Sequence, residues 1–131
     1  MFGVAELPLY NQDLDGEKVH PVAEADGIIV ASPEYNHTYS AVAKNFIDWA
    51  SRPLMQGAIL GKRSMVISAT PGTGAGKHCL PELAKLLTML GGTVVAQVGV
   101  AQVHEKFASG ADVVTDDALA SELRAGLAAF Q

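Results

Sequence analysis

The sequence predicts an α/β domain built on a parallel sheet with helices packed against it. Three observations predict it. Short apolar runs recur along the chain, each ended by a turn signal. Stripes at helical spacing lie between them. A chain of 131 residues with 49 % apolar and 18 % charged side chains can bury one core, so a single domain over 1–131 is expected.

Residues 1–26 are the least regular. Met1 to Ala5 reads as the tail of a strand, and Glu6 to Lys18 as a loop carrying Pro8, Asn11, Asp13, Asp15 and Gly16. Val19 to Ala25 is at most a helical stub, broken by Pro21. Gly27 to Ser32 is an apolar run stopped by Pro33, of strand length and too short for a helix. From Ser40 to Ser51, Val42, Ala43, Phe46, Ile47 and Ala50 form one stripe at a period of 3.6. Met65 to Ala69 is the second strand, stopped by Pro71-Gly72. From His78 to Leu90 the stripe is Leu80, Leu83, Leu87 and Leu90, with Gly91-Gly92 as a stop. Thr93 to Val100, rich in β-branched residues, is the third strand. Thr115 is expected to cap a last helix whose core side is Leu119, Leu123, Leu127 and Phe130, with Asp116 and Asp117 in its first turn. Both faces of the three strand runs are apolar, which implies cover on both sides.

Charge and composition exclude some function classes. Nine basic residues against 14 acidic ones leave a net charge of −5, with no basic stripe to neutralise a phosphate backbone, so no nucleic-acid partner is expected. No apolar run approaches the roughly 18 residues of a membrane span. The opening MFGVAELPLY has no basic region typical of a secretory leader. One cysteine, Cys79, rules out an intramolecular disulfide framework and suits a reducing compartment. The expectation is a cytoplasmic protein away from membranes.

In open parallel sheets ligands bind beyond the carboxyl ends of the strands. The loops at those ends run from Ser32 to Ser40, from Ala69 to Lys77 and from Ala101 to Gly110. The first, Ser32-Pro33-Glu34-Tyr35-Asn36-His37-Thr38, gathers a ring, an amide, a carboxylate and an imidazole. It reads either as a ligand-contacting loop or as a turn whose Asn36 and Thr38 satisfy local backbone. The second, Thr70-Pro71-Gly72-Thr73-Gly74-Ala75-Gly76-Lys77, is glycine-rich. Its glycines allow backbone N–H groups to converge on an acceptor, or serve only a flexible connection. It matches neither the phosphate-binding frame, which needs Gly at Pro71 and Ser or Thr at His78, nor the dinucleotide fingerprint, since Gly72, Gly74 and Gly76 give G-x-G-x-G. His20, His37, His78 and His104 sit at no ligand spacing, so no metal is expected.

Ala31-Ser32-Pro33-Glu34-Tyr35-Asn36-His37-Thr38, followed by Ala43-Lys44-Asn45-Phe46-Ile47-Asp48-Trp49-Ala50-Ser51-Arg52-Pro53, resembles the NADPH-dependent FMN reductase family. Upstream, Leu7-Pro8-Leu9-Tyr10-Asn11-Gln12-Asp13-Leu14 does so too, and the order continues through Gly61-Lys62 and the glycine-rich loop to the last helix. The resemblance implies a flavodoxin-like three-layer sandwich holding FMN non-covalently. It also implies a flavoprotein oxidoreductase passing hydride from NADPH (or NADH) to a small acceptor such as a flavin, a quinone or an azo compound. Pro33, Glu34, Tyr35 and Asn36 match the loop along the isoalloxazine and ribityl; Thr70, Pro71, Gly72, Gly74 and Gly76 match the loop at the ring's pyrimidine side. Backbone donors there would stabilise charge on the reduced ring, the flavin carries the chemistry, and no catalytic nucleophile or base is expected of a side chain.

The resemblance departs at the front. The family begins with a strand and a loop of the type G-S-x-R-x-x-S-x-N that grips the FMN phosphate at a helix N-terminus, and the residues from Met1 onward do not contain that segment. The expectation is therefore an N-terminally incomplete sheet, with an open edge at Gly27–Ser32 that closes on Met1–Ala5 or is covered by another chain. A truncated flavodoxin-like subunit without flavin, serving as an interaction domain, is the second functional reading. The resemblance further implies a homodimer or homotetramer. Trp49, off the helical stripe, reads as either a dimer contact or a residue buried in its own subunit. Cys79 reads as a structural thiol in preference to a reactive one, Lys77 and Arg52 as solvated surface or as partners of an anionic group, and the Glu105-Lys106-Phe107 segment as solvent-exposed or lining the third loop.

Overall fold

The computed structural model describes residues 4, 7–15, 22–108, 110 and 112–131. The strand expected over Met1–Ala5 and most of the stub expected over Val19–Ala25 lie outside them; Val22 to Glu24 form a turn. Three parallel strands, β1 (Gly27–Ala31), β4 (Arg63–Ala69) and β5 (Thr93–Val100), stand in the order β1-β4-β5. Between β1 and β4 the chain forms a small hairpin of β2 (Glu34–Tyr35) and β3 (Thr38–Tyr39) and then α1 (Ala41–Ala50); α2 (Cys79–Met89) precedes β5 and α3 (Asp117–Ala128) follows it.

The side-chain period of two divides β4 between two cores. Val66 joins Ile28, Val30, Ile47, Leu80, Leu83 and Leu87 under α1 and α2. Met65 joins Val98, Val100 and Leu119 under α3, with Ile67 and Leu123 packed alongside. The sheet thus has helices on both faces. Cover is incomplete over β1, whose Ile29 is 50 % exposed while Ile28 and Val30 are buried. The expectation of two covered faces fails there because α3 packs over β5, the far strand. Among the described residues β1 pairs with β4 alone. No helix of the described residues is long and apolar enough to cross a membrane.

Helix ends follow local chemistry. Ser40 caps α1, its Oγ accepting from the Ala43 N–H at 3.2 Å. The expected stripe holds for Ala43, Ile47 and Ala50, while Val42 is half exposed. Trp49 is 8 % exposed, its ring edge-on to Tyr10 at 5.3 Å and its indole N–H donating to the Pro8 carbonyl at 2.9 Å. It is therefore buried in its own chain. Arg52, read as surface, lies over the Tyr10 ring at 5.0 Å. At the end of α2, Gly91 takes φ of 84°; its N–H reaches the Thr88 carbonyl, and the Gly92 N–H reaches Leu87. This is a Schellman stop that a side chain at Gly91 would strain. The cap of α3 is Asp116, not Thr115. Its Oδ1 accepts from the Leu119 N–H at 2.8 Å while Oδ2 holds Lys106. Thr115 instead donates its N–H to the Lys106 carbonyl, next to the bridge between Phe107 and Val114. Leu127, expected in the core, is half exposed.

Candidate functional site

Strand register sets the site. Ala31 lies beside Ile67, and Ala69 beside Val100, so the chain leaves all three strands at one rim. Ser32, buried, closes the base of the first loop. Its N–H donates to the Ile67 carbonyl, and its Oγ accepts the Ser40 N–H at 2.9 Å and donates to the Pro33 carbonyl. Above it, Tyr35 faces Thr38 across the hairpin, and Asn36 and His37 turn the corner with φ of 50° and 66°. Two successive positive φ values make a two-residue turn matched to the strand twist. No hairpin is legible from the residues alone, because Asn36-His37 lacks the usual glycine. Tyr35 is 61 % exposed.

Thr70 shapes the second loop. Its Oγ1 accepts the Ala75 N–H at 3.1 Å and donates to the Gly72 carbonyl at 3.1 Å. The Thr70 carbonyl takes the Val103 N–H and the Gly72 carbonyl the Gln102 N–H, tying this loop to the third. The glycines divide by environment. Gly76, at φ of 68°, is packed so closely that a Cβ would sit 2.3 Å from the Ser68 Cβ. At Gly72 and Gly74 a Cβ would meet nothing within 4 Å. Among the described residues, the N–H groups of Gly72, Thr73 and Gly74 have no acceptor. Open space beside three successive free donors suits the polar edge of a flat ring such as FMN, and the exposed Tyr35 ring suits its face. The residues present fit that group.

The first two loops are clasped together. Glu34 Oε2 accepts from the N–H groups of His78 at 3.0 Å and Cys79 at 3.1 Å, at the start of α2. These N–H groups, Cys79 first, hold the Glu34 carboxyl below the usual carboxylate range, with both imidazoles adding to the effect. His37 stacks on His78 with ring centres 4.4 Å apart and planes 12° from parallel. Thr38 donates its hydroxyl to Glu82. Cys79, fully buried, points its thiol at the Pro33 carbonyl at 3.9 Å, and burial pushes that thiol up. The structure thus brings Pro33, Glu34, Tyr35 and Asn36 to the same rim as Thr70, Pro71, Gly72, Gly74 and Gly76. Sequence reasoning missed the clasp of His37, His78 and Glu82. Its partners lie about forty residues apart and no spacing rule joins them.

A family model described as NADPH-dependent FMN reductase matches residues 1–105. The chain belongs to that family. Among its relatives is a 2-hydroxy-1,4-benzoquinone reductase from a Burkholderia species, 38 % identical over 76 residues, which cover 53 % of this chain and 42 % of the relative. A quinone reductase from Escherichia coli K12 is 31 % identical over 101 residues, 70 % of this chain and 53 % of the relative. FerB from Paracoccus denitrificans, a flavoenzyme NAD(P)H:(acceptor) oxidoreductase, superposes with a TM-score of 0.76 at 30 % identity, covering 97 % of this chain and 74 % of FerB. This member of the NADPH-dependent FMN reductase family has the flavodoxin-like α/β fold that the resemblance implied. The chain spans about half the length of the curated relatives it matches.

Proposed function

We propose that the rim formed by the first two loops binds FMN, and that the chain serves NAD(P)H-dependent reduction of a small acceptor of the quinone or flavin type. One observation carries this reading: the row of free N–H groups over Gly72, Thr73 and Gly74, beside open space, on a loop clasped to the hairpin that bears Tyr35. In this reading Pro33, Tyr35 and Asn36 lie along the ring and ribityl. Pro71, Gly72 and Gly74 lie along the pyrimidine edge. Glu34, Thr70 and Gly76 act through position: the carboxylate spans the loops, the hydroxyl folds the second loop, and the missing side chain lets that loop close on Ser68. FMN, when bound, supplies the acceptance of hydride from a nicotinamide and its delivery onward. The fixed backbone donors hold negative charge at the ring's polar edge without reorganising.

Titration of the purified chain with FMN, followed by flavin fluorescence and absorbance, tests the proposal. Binding in the micromolar range is expected, weakened about tenfold by Tyr35→Ala. No binding at millimolar FMN, or unchanged affinity in Tyr35→Ala, would overturn the assignment of this rim.

A further inference from the structure

His37 occupies a backbone position that costs it energy. At φ of 66° a β-carbon crowds the following carbonyl, and the second corner of such a turn ordinarily belongs to glycine. A residue held there needs a compensating contact. The contact present is the His78 ring, stacked at 4.4 Å. Around that stack are Glu34, bonded to the N–H groups of His78 and Cys79, and Glu82, bonded to Thr38. The three links join the hairpin to the first turn of α2 and to no other element. The hairpin carries Tyr35 and Asn36, and the chain entering α2 carries Gly72 and Gly74.

We infer that His37 and His78 are positioning residues: their stack, seated on the Glu34 cap, fixes the separation of the two rim loops and so the width of the site between them. The inference rests on the proposed FMN reading for its purpose and not for its geometry. Neither ring is a catalytic residue. Lying face to face, the rings keep their nitrogens from converging on one ion, and their work is mechanical. The stacked pair, one ring on the hairpin and one at the start of α2, resists splaying of the two segments, while Glu34 resists sliding along the axis of α2. Glycine at position 37 would relieve the turn and remove the brace, so fold and site respond differently to that one change.

Three variants decide it: His37→Gly, His37→Phe and His78→Ala. Amide hydrogen exchange at His78 and Cys79, measured without flavin, reads the clasp directly, because those amides are protected only while Glu34 stays in place. In His37→Gly, exchange at both amides should quicken about tenfold. Its unfolding midpoint should stay within about 2 °C of the wild type, relief of the turn offsetting the lost stack. His78→Ala should quicken exchange at Cys79 similarly. His37→Phe keeps a stacking ring and should restore wild-type exchange. With FMN as the probe, affinity should fall about tenfold in His37→Gly and return to within about twofold in His37→Phe. Unchanged exchange in His37→Gly, or no rescue by Phe, would overturn the inference. A wild-type chain that binds no FMN yet shows the exchange pattern would overturn the functional reading and leave the brace standing.

Discussion

Glu34 and His78 are separated by 44 positions in the chain, yet the carboxylate of the first accepts the backbone N–H of the second at 3.0 Å. The side chain of a rim hairpin therefore does the work of a helix cap. His78, which stands in the cap position of α2, makes no side-chain cap bond of its own. One carboxylate closes the helix start and sets the distance between two loops, coupling the fold to the site.

That coupling has a pH dependence. The N–H groups of Cys79 and His78 depress the Glu34 carboxyl, and Lys106 followed by the Leu119 N–H depresses Asp116. Each acid ionises more readily in the folded chain than in the unfolded one. Each therefore adds stability above its ordinary value of about 4 to 4.5, and that contribution is lost as pH falls toward the depressed folded value. Thermal unfolding followed by circular dichroism should show the midpoint dropping below about pH 4.5. Glu34→Gln with Asp116→Asn should flatten the drop. An acid limb as steep in the double variant as in the wild type would contradict these assignments.

The glycines of the second loop should separate into two classes. Gly76→Ala places a Cβ 2.3 Å from the Ser68 Cβ at a φ of 68°, and the expected cost is about 2–4 kcal/mol. Gly72→Ala meets open space and should alter stability by no more than about 0.5 kcal/mol. Urea denaturation of the two variants is the check. Equal stabilities would mean that the loop packs differently against β4.

Asn45 should anchor the segment ahead of β1. Its Oδ1 accepts the Tyr10 N–H at 2.8 Å and its Nδ2 donates to the Pro8 carbonyl at 2.9 Å. Asn45→Ala removes both bonds, at a cost of about 1–2 kcal/mol. It should also quicken proteolytic cleavage within residues 7–15 before any other region. Cleavage at the wild-type rate would assign that anchoring to Trp49 alone.

The sheet was legible in the sequence because its strands are written locally. Thr93 to Val100 is a β-branched run whose ends the structure keeps unchanged. Gly91-Gly92 stops α2 by the mechanism glycine at that position implies. Expectations failed where distant residues decide. Thr115 gave way to Asp116 because Lys106 and a bridge in the third loop settle the matter. Trp49, which the helical period left between a dimer contact and burial in its own subunit, is decided for burial by Pro8 and Tyr10, which come from another part of the chain. The candidate site was legible as two loops at one rim. The joinery between them was not, since the stack of His37 on His78 joins residues far apart in the chain.

Cys79 is the chain's single sulfhydryl, and the loops that meet over it leave it no surface. An alkylating reagent reaches that sulfur only in the instants when the meeting parts. The molecule therefore carries its own stopwatch: the rate at which it is labelled counts those partings, with no foreign dye to install.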